Sequence, residues 1–285
     1  MFKGAAGNRL VADVFGDAGQ PVLLLHGGGQ TRHAWGRTAE HLARAGAQAF
    51  ALDQRGHGDS EWVDGRYGFA DFGDDAATVA RTLFARTARH PIAIGASLGG
   101  VSSLLAEGGA ERSGQGPLFA AIVLVDVTPR VDMSGVAKIQ GFMRERAGEG
   151  FATIAEAADA VAAYLPHRKR PRSHDGLRKN LRLHPDGRWR WHWDPGILKG
   201  ERSFAQDHSV LEASLIEAAK AITVPTLLVR GGASELVKEA HVREFLALVP
   251  HADYIDVAEA RHMVAGDSND RFSDAVLDFV ARLGA

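Results

Sequence analysis

Five short runs along the chain are apolar at nearly every position: Val22–Leu25, Gln48–Leu52, Ile92–Gly95, Ile122–Val125 and Thr226–Val229. Each is bounded by Gly, Pro, Asp or His, so they read as strands buried on both faces, as in a parallel sheet. Arg9–Phe15 alternates apolar and polar instead and predicts an edge strand, and Asp253–Val257 predicts a further strand near the C-terminal end. Between these runs the period changes. Val242, Phe245, Leu246 and Val249 keep helical spacing, as do Phe272, Ala275, Val276, Phe279, Val280 and Leu283, and Ile154–Tyr164 predicts another helix. Strand and helix alternate over most of the chain, which predicts an α/β class with a mostly parallel, doubly wound sheet. The rhythm fails from about Thr128 to Phe204 and resumes at Val224-Pro225-Thr226. An insertion between two sheet strands follows, with residues 1–127 and 206–285 forming the core and 128–205 the inserted unit.

Composition narrows the possibilities. The 285 residues are 45% hydrophobic and 24% charged, as expected for a globular chain rather than a disordered one. No run approaches the ~18–20 apolar residues of a membrane helix. Met1–Leu10 lacks the apolar stretch of a secretory leader, so a cytoplasmic location without membrane partners is expected. Absence of cysteine removes disulfides, thiolate metal sites and cysteine nucleophiles. The net charge of −2 gives the whole chain no affinity for nucleic acid. Between Pro166 and Phe204, however, eleven Lys/Arg face four Asp/Glu, and three of the five tryptophans lie there. The run Arg168-Lys169-Arg170-Pro171-Arg172 reads as a solvated surface of the inserted unit.

Chemistry concentrates at Ile92-Ala93-Ile94-Gly95-Ala96-Ser97-Leu98-Gly99-Gly100, a buried strand, then G-x-S-x-G, then a helix start. The glycines allow a sharp turn that presents Ser97 at the strand's carboxyl end, and the following helix points its positive N-terminus at the same spot. Three further segments accompany it: Leu25-His26-Gly27-Gly28-Gly29, whose backbone N–H groups can face a developing oxyanion; Leu52-Asp53-Gln54-Arg55-Gly56-His57-Gly58-Asp59-Ser60 after the next strand; and Ala260-Arg261-His262-Met263 after the last. In LHGGGQTRHAW, LDQRGHGDS, GASLGG, VPTLLVRGG and the late ARHM the sequence resembles a capped serine hydrolase of the α/β-hydrolase fold, a relative of esterases, lactonases and carbon–carbon bond hydrolases. The resemblance covers nearly the whole chain and implies a helical cap inserted after the sixth strand. It implies Ser97 as nucleophile, His262 as general base, and the Leu98 and Gly28 amides as oxyanion donors.

The acid is open between two residues. The usual family position, after the Thr226–Val229 strand, offers Glu235 where aspartate is common; some relatives place it after the preceding strand, where Asp126 stands. Glu235 is the first choice and Asp126 the second. His57, Asp53 and Arg55 read as loop scaffolding, while His33, His167 and His192 show no metal-ligand spacing, so no metal is expected. Trp189, Trp191 and Trp193 alternate with Arg188, Arg190 and His192, so an extended segment would give one aromatic face, expected to pack the cap and roof the substrate pocket.

The implied reaction is hydrolysis of an ester or lactone of a small to medium apolar substrate through an acyl-enzyme, without a cofactor. A carbon–carbon hydrolase or a cofactor-free haloperoxidase would use the same residues, and a ligand-binding receptor on this fold is the non-enzymatic alternative. Epoxide hydrolases and haloalkane dehalogenases attack through aspartate where this chain has Ser97, and the cap offers the single tyrosine Tyr164. The expected partner is a small-molecule substrate; the oligomeric state is left open, with a homodimer among the options.

Overall fold

The computed structural model describes all residues except 167–169, 171–172, 200–203, 205–207, 259, 261, 263–268 and 285. His167, Arg168, Lys169, Pro171 and Arg172 of the basic stretch, and Arg261 and Met263 beside His262, lie outside the described residues.

The chain opens with β1 (Phe2–Lys3), β2 (Arg9–Leu10) and β3 (Ala12–Phe15), followed by β4 (Pro21–Leu25), β5 (Gln48–Leu52), β6 (Ile92–Ala96) and β7 (Ala121–Val125). After an excursion carrying the hairpin β8 (Leu181–Leu183) and β9 (Trp189–Trp191), it returns to β10 (Thr226–Gly231) and β11 (Asp253–Val257). A seven-stranded sheet has the order β11-β10-β7-β6-β4-β5-β3. Every neighbouring pair is parallel except β3, which runs antiparallel to β5 at the edge. The alternating run Arg9–Phe15 is shared between two partners: β2 pairs with β1, and β3 pairs with β5. The handover occurs at Val11, whose N–H donates to Ser60 Oγ (2.9 Å).

Continuous burial of the central strands explains their unbroken apolar character. Leu23 and Leu25 of β4 pack on one face with Val79 and Leu104, while Val22 and Leu24 pack on the opposite face with Leu42 and Phe272. The first face is covered by helices α2 (Phe69–Thr87), α3 (Leu98–Arg112) and those contributing Leu215 and Phe245; the second by α1 (Gly36–Arg44) and the C-terminal helix Asn269–Arg282. Apolar burial of this kind contributes on the order of 25 cal/mol per Å².

Between β7 and β10 lie α4 (Met133–Arg144), α5 (Ile154–Tyr164), α6 (Asp175–Arg178), the β8–β9 hairpin and α7 (His208–Ala221), the last packing back on α3. The excursion follows Ala121–Val125, the sixth extended segment when Arg9–Phe15 is counted as the single strand its alternation predicts. It has a small core of its own, Phe151, Ala157 and Leu181 with Trp189 and Trp191 against them. It is also fastened to the sheet domain. Gly58 N–H donates to His192 O and Asp194 N–H to Gly56 O, both at 2.7 Å, and the Tyr67 hydroxyl donates to Asp194 Oδ2 at 2.5 Å.

The chain runs from β4 outward to β5, then crosses back to place β6 on β4's other side. The reversal leaves a crevice beyond the carboxyl ends of β4 and β6, the place where open α/β sheets hold ligands.

Candidate active site

Ser97 stands at that crevice, between the last residue of β6 and the first of α3, with φ 48° and ψ −112°. A non-glycine residue in this region is strained, and persists only where the surroundings over-determine it. Here the surroundings are close. A side chain on Gly95 would collide with the Gly99 carbonyl, and one on Gly99 with the carbonyl of Leu25. These two glycines let strand, turn and helix approach within contact distance, and so fix Ser97 in the crevice.

Asp126 follows β7 directly and is the second non-glycine residue here with positive φ, 51°. Its carboxylate is fully buried and meets three donors: Gly231 N–H (3.1 Å), Ser234 Oγ (2.6 Å) and His262 Nδ1 (2.8 Å). With Nδ1–H donating to a carboxylate, the imidazole keeps its Nε2 lone pair free to act as a base. Ser97 and His262 line one cavity together with Gly28 and Leu98.

Glu235 sits differently. Its carboxylate lies 3.4 Å from Lys138 Nζ on α4. The expectation that placed it on His262 is corrected: in the turn after β10 Ser234 faces Asp126, it is Asp126 that meets His262 Nδ1, and Glu235 pairs with Lys138. A Nδ1–H has one donor proton, and Asp126 takes it.

The glycine loop is ordered by its neighbours. Gly27 N–H donates to Gln30 Oε1 (3.0 Å) and Gly29 N–H to His57 Nε2 (3.1 Å). Among the described residues neither the Gly28 amide nor the Leu98 amide has an acceptor, so these two N–H groups remain for a ligand. His57 is fully buried; its Nδ1 donates to Arg55 O (2.9 Å), which fixes the tautomer that accepts from Gly29. His26 beneath it donates from Nδ1 to Gly27 O (2.8 Å) and accepts from Gln54 N–H (3.1 Å). Burial pushes the His57 pKa down to about 3 and that of His26 down to about 4. Both rings are therefore neutral, as their hydrogen bonds require. Arg55 makes a buried two-point pair with Asp75 (2.7 Å for each contact), and Asp53 accepts from Arg32 N–H (2.6 Å) and Asp59 N–H (2.9 Å). These are the scaffolding roles expected of this loop.

The cavity encloses about 850 Å³ between the sheet domain and the inserted segment. Its wall is mostly apolar, with Phe69, Phe142, Met143, Trp191, Trp193 and Phe204 prominent. Trp191 and Trp193 line this cavity. Trp189 does not: it pairs through its backbone with Phe151 and packs with Arg178 over its ring, in the insertion's own core. Arg188 and Arg190 likewise turn away, to the carbonyls of Glu149, Gly150 and Gly148. Sequence reasoning missed Gln30, Ser234 and Phe204. A serine or glutamine in a loop carries no signal until the fold shows which amide or carboxylate it meets. Among the described residues no group of three or more His, Asp and Glu gathers as a metal site would, and no helix is long and apolar enough to cross a membrane.

The model of the alpha/beta hydrolase family matches residues 22–275. Esterase Rv0045c of Mycobacterium tuberculosis is 30% identical over 260 residues, spanning 89% of this chain and 80% of its own. The 2-(acetamidomethylene)succinate hydrolase of Mesorhizobium japonicum is 30% identical over 233 residues, 81% of this chain and 77% of its own. Among solved structures, an E-2-(acetamidomethylene)succinate hydrolase superposes with a TM-score of 0.78 at 24% identity, over 96% of this chain and 100% of that one. That structural likeness bears on the fold alone.

Proposed function

Because the chain belongs to the α/β-hydrolase family, we propose that it is a serine hydrolase cleaving an ester or lactone of a small to medium, mainly apolar acid through an acyl-enzyme. The observation that carries this reading is the buried Asp126–His262 pair opening on the same cavity as the strained Ser97. The esterase and hydrolase among its relatives support it.

In this reading His262 Nε2 takes the Ser97 proton as Oγ attacks the carbonyl carbon. The tetrahedral oxyanion is held by the Gly28 and Leu98 amides at the head of α3, where the helix dipole adds to their effect. Collapse expels the alcohol, which receives its proton from His262. Water then repeats the sequence on the acyl-enzyme, with His262 as base again. Asp126 keeps the imidazole in the required tautomer and stabilises its charged form. Residues 128–205 act as a cap, and Trp191 and Trp193 form part of the apolar ceiling.

Ser97→Ala tests the reading, with turnover of p-nitrophenyl acetate and butyrate as readout. The expected loss is several orders of magnitude with an unchanged melting temperature; retention of more than ~10% of activity refutes the nucleophile.

A further inference from the structure

Among the described residues the charged groups on the cavity wall do not balance. The carboxylates there are Glu212 and Glu235, and each is already matched, Glu212 by Arg130 at 2.7 Å and Glu235 by Lys138 at 3.4 Å. The described cations on the same wall are Arg37, which has a partner of its own, Lys138, Arg170 and Lys179. Arg170 is held by Asp159 at 2.8 Å, whereas Lys179 has no ion-pair partner among the described residues. Lys179 stands beside Asn180, and Thr31 Oγ1 donates to Asn180 Oδ1 at 2.8 Å, which leaves the Asn180 N–H2 as a donor on the wall. His33 is also on the wall; burial first, and then Arg32, lower its pKa, and its neighbour Asp13 (3.6 Å) pairs at 2.9 Å with Arg32, which Asp53 and Asp59 engage as well. A corner between the sheet domain and the inserted segment thus offers the Lys179 ammonium group beside amide and imidazole donors in a mostly apolar chamber.

From this corner we infer that the substrate carries a carboxylate, bound by Lys179, Asn180 and His33 while the scissile carbonyl lies at Ser97. The inference rests on the hydrolase reading and names its substrate class: half-esters or lactones derived from dicarboxylic acids. Thr31, which holds Asn180, lies three residues after Gly28, a separation of at most ~10 Å, so the corner and the glycine loop border the same part of the chamber. The two glutamines of the chamber are engaged elsewhere: Gln140 Nε2 donates to Phe204 O (3.1 Å) and Gln30 Oε1 accepts from Gly27 N–H (3.0 Å).

Two measurements test the corner and separate it from the hydrolase reading. Titration calorimetry on the Ser97→Ala protein compares monomethyl glutarate with methyl pentanoate, esters of equal acyl length of which only the first carries a charge. Monomethyl glutarate is expected to bind about five-fold more tightly or better at low salt, an advantage that fades as salt is raised and falls about five-fold in Lys179→Ala but not in Lys179→Arg. Kinetics on the Ser97-bearing protein compare mono-p-nitrophenyl glutarate with p-nitrophenyl pentanoate, and the kcat/KM ratio should follow the same pattern, chiefly through KM. If methyl pentanoate binds as tightly as monomethyl glutarate, or if Lys179→Ala leaves the preference intact, the carboxylate corner is refuted whatever the turnover. If monomethyl glutarate is preferred but neither p-nitrophenyl ester is cleaved, the corner stands and the hydrolase reading falls.

Discussion

Replacing Asp126 by asparagine preserves the shape of the side chain and exchanges one oxygen for an N–H2, so its consequence can be worked through atom by atom. The native carboxylate accepts from Gly231 N–H, Ser234 Oγ and His262 Nδ1. Gly231 N–H meets Oδ1, whereas Ser234 Oγ and His262 Nδ1 share Oδ2. A backbone N–H cannot turn away, so the single amide oxygen stays on Gly231 and the N–H2 takes the place of Oδ2; the Ser234 hydroxyl can rotate to accept from it, but Nδ1–H cannot, since two donors do not pair. The imidazole must move its proton to Nε2 to accept, and the nitrogen needed as base is lost. Removing the charge in this way costs ~10⁴-fold in kcat where it has been done in other triads, about 5–6 kcal/mol of barrier. Stability should change far less: the buried charge and its hydrogen bonds disappear together, and their contributions oppose each other. Glu235→Gln breaks a partly exposed pair with Lys138, worth ~0–1 kcal/mol, and should alter kcat less than five-fold. The assay is steady-state hydrolysis of p-nitrophenyl butyrate by both variants, with thermal melts as control. A fully folded Asp126→Asn protein with more than ~10% activity, or a Glu235→Gln protein that is the more damaged of the two, refutes the assignment of Asp126.

Acid should unfold the protein through its two buried histidines. Their folded pKa values lie below the ordinary 6.5, so the unfolded state binds protons that the folded state refuses; stability is full above pH 6.5 and falls by up to ~1.4 kcal/mol per pH unit per histidine as pH drops towards about 4 for His26 and about 3 for His57. Urea melts at several pH values should show a slope shallower by about one proton in His57→Gln, and parallel slopes would refute this. Gly99→Ala drives a methyl group into the Leu25 carbonyl and should cost ~1–3 kcal/mol of stability while lowering kcat through the displaced Leu98 amide; a variant as stable and active as its parent would show that the turn is looser than the packing indicates.

The parts of this molecule that were legible in the sequence are those fixed by one-dimensional pattern. Strands buried on both faces must be apolar at each position, so β4, β6, β7 and β10 could be read as runs, and G-x-S-x-G marks a turn whose glycines answer to sterics within five residues. Arg9–Phe15 reads as one strand because alternation reports which face is buried and says nothing of a change of partner at Val11. The acid shows the same limit at the site. Both Asp126 and Glu235 follow sheet strands; only three-dimensional registration decides which meets His262. Adjacent parallel strands β7 and β10 end side by side, Val125 opposite Val229, so one residue beyond Val125 is enough to bring Asp126 into the space between the β10 turn and His262. Glu235 must come from six residues beyond Val229, and a loop of that length is free to end on either side. A side chain emerging at a strand end is placed by the sheet, whereas one further along a loop is placed by whatever the loop meets. The nearer carboxylate therefore had the geometric advantage, and the strained φ of Asp126 is what that placement costs.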